Sequence, residues 1–328
     1  MLPKIAVILT GIAAFVFLLY VGCSWFEHRT ENPEVRGDYT QRYTYDHMLE
    51  LDGISYRRRK NITTILLMGI DAESTESESQ TYRHGGQADF LYLLAIDDAN
   101  KTVNQIQIDR DTMTPITILG VLGNKSGMRT AQIGLSHGFG DGKSQSCELT
   151  VEAVSNLFLG LPIDFYAAMH LDGISILNDE IGGVTVTLED DFSSLDSSMI
   201  PGARLTLMGD QAEWYLRGRS GIGIGTNQAR MDRQAQYISS FSDLLYERIA
   251  QDEEFAGRLY DRLAPYLTTN LSRGRMINEL WAAKDYEKPA VVKLQGVHEV
   301  GADGFMRFYP DEAELQRMVT ALFYERVE

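Results

Sequence analysis

Two aspartates on either side of one tight turn carry the first chemistry in this sequence. Asp89 opens the apolar run DFLYLLAI (89–96), and Asp111 follows a second run, 103–108; the stretch between them, DDANKT (97–102), is turn chemistry. If the two runs pair antiparallel around residue 100, partner positions sum to about 200. Asp97 then pairs with Val103, and Asp89 falls opposite Asp111. Directly opposed residues have Cβ atoms about 5 Å apart. Two ionised carboxylates there repel, and one pKa rises unless a cation sits between them. Magnesium, which takes a few carboxylates plus phosphate oxygens, resolves the conflict, and so does an arginine. The alternatives are two solvated strand-end aspartates, or a bulge that breaks the register.

A cluster of arginines supplies the complementary charge. Arg217 and Arg219 follow a short helical pattern, and Arg230 and Arg233 lie three apart at the start of a long one, with Gln234 beside them. Thr226 or Asn227 is the candidate N-cap. Guanidinium forks and helix N-termini both suit phosphate oxygens. The competing reading is a solvated polar face that pairs with nearby acids such as Asp232. The intervening GIGIG (221–225) gives the loop freedom to move.

Positioning these groups falls to alternating strands and helices. ITTILLMGI (62–70) reads as a buried strand, as do 89–96 and 103–108, with further strands at 165–170, 183–188 and 290–294. Helical spacing covers 150–159, 210–217, 228–249, 272–283 and 311–324. Interleaved strands and helices argue for a sandwiched α/β sheet. Trp214 and Tyr215 read as helix packing, His84 and His137 as ordinary residues, and Cys147 as a buried or loop thiol.

Composition bounds the partners. The 328 residues carry a formal net charge of −16, which repels phosphate polymers at long range, so no nucleic-acid partner is expected. Cys23 and Cys147 are too differently placed for a disulfide, and no Cys/His spacing supports zinc. IAVILTGIAAFVFLLYVGCSWF (5–26) has no charge and is long enough to cross a bilayer, so it reads as a transmembrane signal anchor after a short cytoplasmic tail, residues 1–4. A cleaved signal peptide, or a lipoprotein signal ending at Cys23, are the alternatives. Residues 27–60 read as an extracytoplasmic stalk whose basic run, Arg57 to Lys60, is a solvated loop, and 61–328 as the catalytic domain.

From residue 62 onward the sequence resembles the LytR–CpsA–Psr family of bacterial cell-wall glycopolymer transferases. The ordered matches are LLMGID (66–71), ADFLYLLAID (88–97), IDRDT (108–112, close to the family's IPRDT), TVEAVSNLFLGLPIDFYAAMHLDG (150–173), IGGVTV (181–186), LMGDQAEWYLRGR (207–219), ARMDRQ (229–234) and TTNLS (268–272). The resemblance implies a three-layer α/β/α sandwich around a central mixed sheet, preceded by one transmembrane helix, with the large domain outside the cytoplasmic membrane of a Gram-positive-type bacterium. It implies a hydrophobic pocket for a polyprenyl chain and a pyrophosphate at its mouth. The implied activity moves a sugar phosphate from a polyprenyl-pyrophosphate-linked glycopolymer to a cell-wall hydroxyl, usually on peptidoglycan. By position, Asp89 and Asp111 would hold Mg2+, and Arg110, Arg217, Arg219, Arg230, Arg233 and Gln234 the pyrophosphate. Asp111, Arg110 and Arg230 would be catalytic.

Three departures accompany the resemblance. Gln87 stands where the family has arginine, with Arg83 in the same loop as a substitute; Gln132-Ile133-Gly134 replaces Lys-Ile-Asn; and Asn227 replaces an acidic residue. Each removes a charge from the implied site. A non-catalytic binder of lipid-linked polymer and a polyprenyl-pyrophosphate pyrophosphatase are therefore the competing readings.

Overall fold

A computed structural model describes residues 47–72, 85–120, 123–218, 221–223 and 225–327. The apolar segment at 5–26, most of the expected stalk, Arg83, His84 and Arg219 lie outside the described residues. Among those described, no helix is long and apolar enough to cross a membrane.

The strands are β1 (Met48–Leu51), β2 (Ile54–Arg58), β3 (Ile62–Ile70), β4 (Ala88–Asp97), β5 (Thr102–Ile108), β6 (Met113–Leu119), β7 (Lys125–Gln132) and β8 (Phe165–His170), then β9 (Val184–Thr187), β10 (Arg204–Leu207), β11 (Leu267–Thr269), β12 (Val292–Lys293), β13 (Gly296–Val300), β14 (Met306–Pro310) and β15 (Tyr324–Arg326). The α-helices are α1 (Ser144–Leu157), α2 (Gly173–Glu180), α3 (Asp210–Arg217), α4 (Asn227–Gln251), α5 (Phe255–Leu263), α6 (Arg273–Ala283) and α7 (Glu312–Phe323). Side-chain caps set three of the helix starts. Thr226 accepts from the Ala229 amide, Ser272 from Arg275 and Asp311 from Glu314.

Six strands form the central sheet in the order β11-β8-β3-β4-β5-β12. It is mixed: β3 runs parallel to β8 and β5 parallel to β12, while β3–β4, β4–β5 and β8–β11 are antiparallel. Alternation along β3 sends Leu66, Met68 and Ile70 into a core with Val154 and Leu157 of α1 and Val319 and Phe323 of α7. Ile65 and Leu67 point to the other face, toward Leu271, Met276 and Tyr246. Helices therefore cover both faces of the sheet.

The hairpin register differs by one residue from the expected one. Asp97 pairs with Thr102 rather than Val103, and Leu91 with Ile108. Lys101 adopts a left-handed conformation, φ 55°, and Asp97 Oδ1 accepts from the amides of Ala99 and Asn100, so the loop closes one residue sooner. Continued in this register, Asp89 faces Arg110, not Asp111. A bulge then intervenes. Gly69 pairs with Phe90 but Ile70 with Ala88, which leaves Asp89 as the extra residue of β4. A bulge re-aims side chains and ends regular pairing; without it, alternation would turn Asp89 toward the filled core with Leu91 and Leu93.

The end of the expected stalk belongs to the folded domain. β1 and β2 form a hairpin, and β2 also pairs with β15 near the C-terminus. The basic run is not a solvated loop. Arg58 is buried and bonds Asp164 Oδ2 at 2.6 Å, Arg57 pairs with Glu325, and Arg59 donates to the carbonyls of Ala321, in the last turn of α7, and of Tyr324, just after it. Local sequence shows the charges but not their distant partners. The helix expected at 150–159 begins six residues earlier, where Asp141 Oδ1 accepts from the Lys143 and Ser146 amides.

Candidate active site

The face of the sheet that carries Ile65 and Leu67 is not filled. A cavity of about 560 Å³ lies between it and α2, α4, α5 and α6. Ile65, Leu67, Tyr92 and Leu94 line the sheet side; Leu177, Ile238, Phe241, Leu259, Leu263 and Leu280 line the helical side. Volumes of several hundred Å³ with mostly apolar walls are typical of ligand sites. Asp71, Asp89, Arg110, Arg217, Arg230 and Gln234 also line it and gather the charge. Further along the wall stand Gln105, Glu279 and Lys288. Burial raises the pKa of Glu279 and that of the Tyr92 phenol.

The bulged Asp89 is the centre of the polar cluster. One carboxylate oxygen takes Arg110 Nη1, and the other takes Arg230 Nη1 at 2.9 Å. Arg110 Nη2 donates to Gln87 Oε1 at 2.9 Å, and its Nε lies 3.6 Å from Asp111 Oδ1. The cation between the two aspartates is thus a guanidinium. Arg110 and Asp111 sit at the tip of a turn in which the Thr112 amide donates to the Asp109 carbonyl, at 3.0 Å, and the Asp111 amide to Asp109 Oδ1, at 2.8 Å. An aspartate that bonds the backbone two residues on sets such turns.

The late arginines separate. Arg230, on the first turns of α4, is buried and also donates to Asn227 Oδ1 at 2.6 Å. Arg217 ends α3, half-exposed, between Asp71 at 3.0 Å and Glu213 at 2.6 Å. Desolvation works against its charge, and these two carboxylates outweigh it, so its pKa rises. Gln234 donates to the Leu216 carbonyl at 3.2 Å. Arg233 does not line the cavity. It bonds Asp190 and the carbonyls of Tyr215 and Gly218, and its guanidinium lies over the Phe192 ring. It clamps the segment that carries Arg217.

The donor set fits a small hard cation in part. Asp89 and Asp111 contact the same guanidinium, Asp89 lines the cavity, and magnesium asks for one or two carboxylates plus substrate oxygens. Among the described residues, no group of three acidic, histidine or cysteine side chains is placed to hold a metal by itself.

The sequence matches the model of the LytR_cpsA_psr family over residues 31–323. The chain belongs to this family. The polyisoprenyl-teichoic acid–peptidoglycan teichoic acid transferase TagV of Bacillus subtilis is 26% identical over 269 residues, 79% of this chain and 63% of TagV. The corresponding TagU of Halalkalibacterium halodurans is 28% identical over 243 residues, 73% of this chain and 69% of TagU. The chain thus spans less than two thirds of the length of TagV. Crystal structures of B. subtilis TagV (TM-score 0.60, 23% identity, 80% of this chain and 96% of that one) and of protein gbs0355 from Streptococcus agalactiae (0.65, 21%, 80% and 87%) share the fold.

The three departures from the LytR_cpsA_psr pattern have local explanations. Gln87 gives up a charge but holds Arg110 through its amide oxygen. Gly134 is packed beneath Arg110: an added Cβ would lie 2.8 Å from the Ala88 carbonyl oxygen and 3.1 Å from Arg110 Cβ, so no side chain fits. Gln132 reaches the Met306 carbonyl. Asn227 donates to Asp109 Oδ1 at 2.7 Å while accepting from Arg230, and a carboxylate there would face Asp109. Asp109 itself was not singled out in the sequence, nor was His298, whose Nε2 lies 2.8 Å from Asp109 Oδ2. The signal for Asp109 was its place in IDRDT, where the family motif has proline. Nothing near His298 in sequence marks it. His137 and Cys147 are buried in the filled core, as ordinary residues.

Proposed function

We propose that this protein is a membrane-anchored phosphotransferase. It moves a glycopolymer, as its sugar phosphate, from a polyprenyl-pyrophosphate carrier to a cell-wall hydroxyl, in peptidoglycan, outside the cytoplasmic membrane. The observation that carries this is the cavity itself. Its walls are apolar, and its arginines and aspartates are gathered at Asp89, which suits an amphiphile with a long apolar tail and a polyanionic head. Family membership and the names of the relatives support the same reaction.

In this reading the polyprenyl chain fills the cavity and Arg110, Arg230, Arg217 and Arg219 bind pyrophosphate oxygens, with Gln234 holding the Leu216 carbonyl and Arg233 the 215–218 segment. An acceptor oxygen forms the new bond to phosphorus, the bridging P–O bond breaks, polyprenyl phosphate leaves, and the hydroxyl proton is lost to solvent. Such transfers need positioning and charge neutralisation more than covalent help from the protein. Preorganised guanidinium groups supply both. Asp89 and Asp111 would hold Mg2+, which when bound neutralises charge on the phosphate oxygens. Before substrate arrives, Asp89 keeps Arg110 and Arg230 aimed at one point and offsets their mutual repulsion.

The test incubates the full-length chain, in detergent, with a short-chain polyprenyl-pyrophosphate saccharide, magnesium and a peptidoglycan fragment. Mass spectrometry reads released polyprenyl phosphate and modified acceptor. Metal-dependent transfer that falls by about 100-fold or more in Asp111→Ala is expected. Release without acceptor modification would point to a pyrophosphatase. Tight lipid binding without release would point to a binder.

A further inference from the structure

A second, smaller cleft of about 230 Å³ lies near the N-terminal end of α4, on the same face of the sheet as the apolar cavity. The helix divides the two. Arg230, Gln234 and Ile238 line the large cavity, whereas Gln228 and Met231 line the small one. Along the same face of β5, Val103 and Gln105 line the large cavity and Gln107 the small one. Asp109, base of the turn that presents Arg110 and Asp111, belongs to the small cleft.

Its chemistry differs from that of the phosphate cluster. Gln107 is 1% exposed; its Nε2 donates to the Met231 carbonyl at 3.0 Å, and its Oε1 has no hydrogen-bond partner among the described residues. His298 Nε2 lies 2.8 Å from a carboxylate oxygen of Asp109 and donates to it, which leaves Nδ1 as the ring's other polar atom. Lys293 and Gln228 both spend a donor on Asp232 at the rim. Among the described residues the cleft thus offers the Gln107 acceptor, and its one lysine is paired with Asp232, which suits a neutral ligand that carries O–H or N–H donors. The Phe308 ring, 4.6 Å from the His298 ring, and Met231 supply an apolar wall. Buried acceptors without partners are costly, and a ligand donor removes that cost.

We propose that this cleft, through Gln107 and His298, is a saccharide subsite that seats a sugar of the acceptor. Its binding of sugar stands on the cleft alone; its role as acceptor subsite rests on the phosphotransfer reading. In-line displacement puts entering and leaving oxygens on opposite sides of phosphorus. Arg110 and Arg230 line the lipid cavity, and Asp109, next to Arg110 in the same turn, lines this cleft, which suits an acceptor that enters from the side away from the lipid.

The probe is N,N′-diacetylchitobiose, a neutral soluble disaccharide, added to the full-length chain in detergent and followed by saturation-transfer NMR. The expected result is saturation of the sugar with an affinity of about millimolar, weakened roughly tenfold by Gln107→Met and by His298→Phe. Gln228→Ala, at the exposed rim, gives a third arm with little risk to folding, and thermal melts check all three. In the turnover assay the same variants raise the acceptor KM and leave the lipid KM unchanged. No saturation with the wild-type chain, or equal affinity in all three variants, overturns the proposal. Sugar binding that responds to the variants in a chain without turnover upholds the site and sinks the phosphotransfer reading. Turnover with an unchanged acceptor KM in the variants does the reverse.

Discussion

The two faces of the central sheet are built by the same strands and end differently. On one face Leu66, Met68 and Ile70 of β3 and Leu91, Leu93 and Ala95 of β4 are buried in one cluster with α1 and α7. On the other, Leu67, Tyr92 and Leu94 line an open cavity under α4 and α5. Both sets are apolar, so hydropathy does not separate them. The difference is what lies opposite. The filled face shares one cluster with its two helices, while the helices of the hollow face pack into a cluster of their own around Phe192, Tyr215, Leu259 and Leu263. On this contrast, substitutions on the first face should act on stability and those on the second on binding.

The strongest way to break this comparison is at the edge of the filled face. Arg58, Asp164 and Thr64 form a buried network there, with Asp164 Oδ2 accepting from Arg58 at 2.6 Å and from the Thr64 amide at 2.7 Å. Removing one member of such a pair strands a buried charge, so Arg58→Ala is expected to cost about 3–5 kcal/mol in urea unfolding. A cost under about 1 kcal/mol would return residues 47–60 to the role of a stalk.

Next in size is a matched pair of neighbours. Leu66→Ala on the filled face should cost about 3 kcal/mol, because it leaves a void. Leu67→Ala, whose side chain already borders one, should cost about 1 kcal/mol or less and should instead weaken binding of long-chain polyprenyl phosphate. Equal costs in thermal melts would mean that the cavity closes in solution.

The filled face also carries a pH signature. Burial lowers the pKa of His137 to about 4, while its Nδ1 lies 3.2 Å from the Gly86 carbonyl on the loop that leads to Asp89. The unfolded chain, with an ordinary histidine near 6.5, binds this proton more readily. The contribution is therefore whole above pH about 6.5 and is lost as pH falls toward 4, by about 3 kcal/mol in all. His137→Gln should flatten that part of the stability–pH curve, and an unchanged slope would remove the assignment.

The smallest effect is expected on the binding face. Gln87→Arg restores the family charge but sets a guanidinium where Arg110 now finds an amide oxygen at 2.9 Å. It should lower stability by about 1 kcal/mol or less without ligand and tighten pyrophosphate binding, read by calorimetry at two salt concentrations. Tightening absent at both would mean that the lost charge has been replaced from elsewhere.

How much of this was legible beforehand follows from the range of each interaction. The strands at 62–70, 89–96 and 103–108 and the helices at 210–217 and 228–249 stand as read, because period and turn residues are local. The short hairpins β6–β7 and β13–β14 were not seen, since neither has a sustained apolar period: β7 is nearly all exposed, and β13 wholly so.

The sequence by itself placed a carboxylate site at one end of an α/β sheet, and the ordered family motifs added the arginines to it. Only the tertiary structure decided which atoms meet. A left-handed Lys101 shifted the hairpin by one residue, and a bulge at Asp89 turned that side chain to the open face, where it holds Arg110 and Arg230 together. Arg233 went to the 215–218 segment, Arg58 to Asp164, and Asp109 to a partner 189 residues away. Local pattern fixes which side chains share a face. Register, bulges and long-range partners are set by closure of the whole chain, where one residue of slip exchanges the two faces.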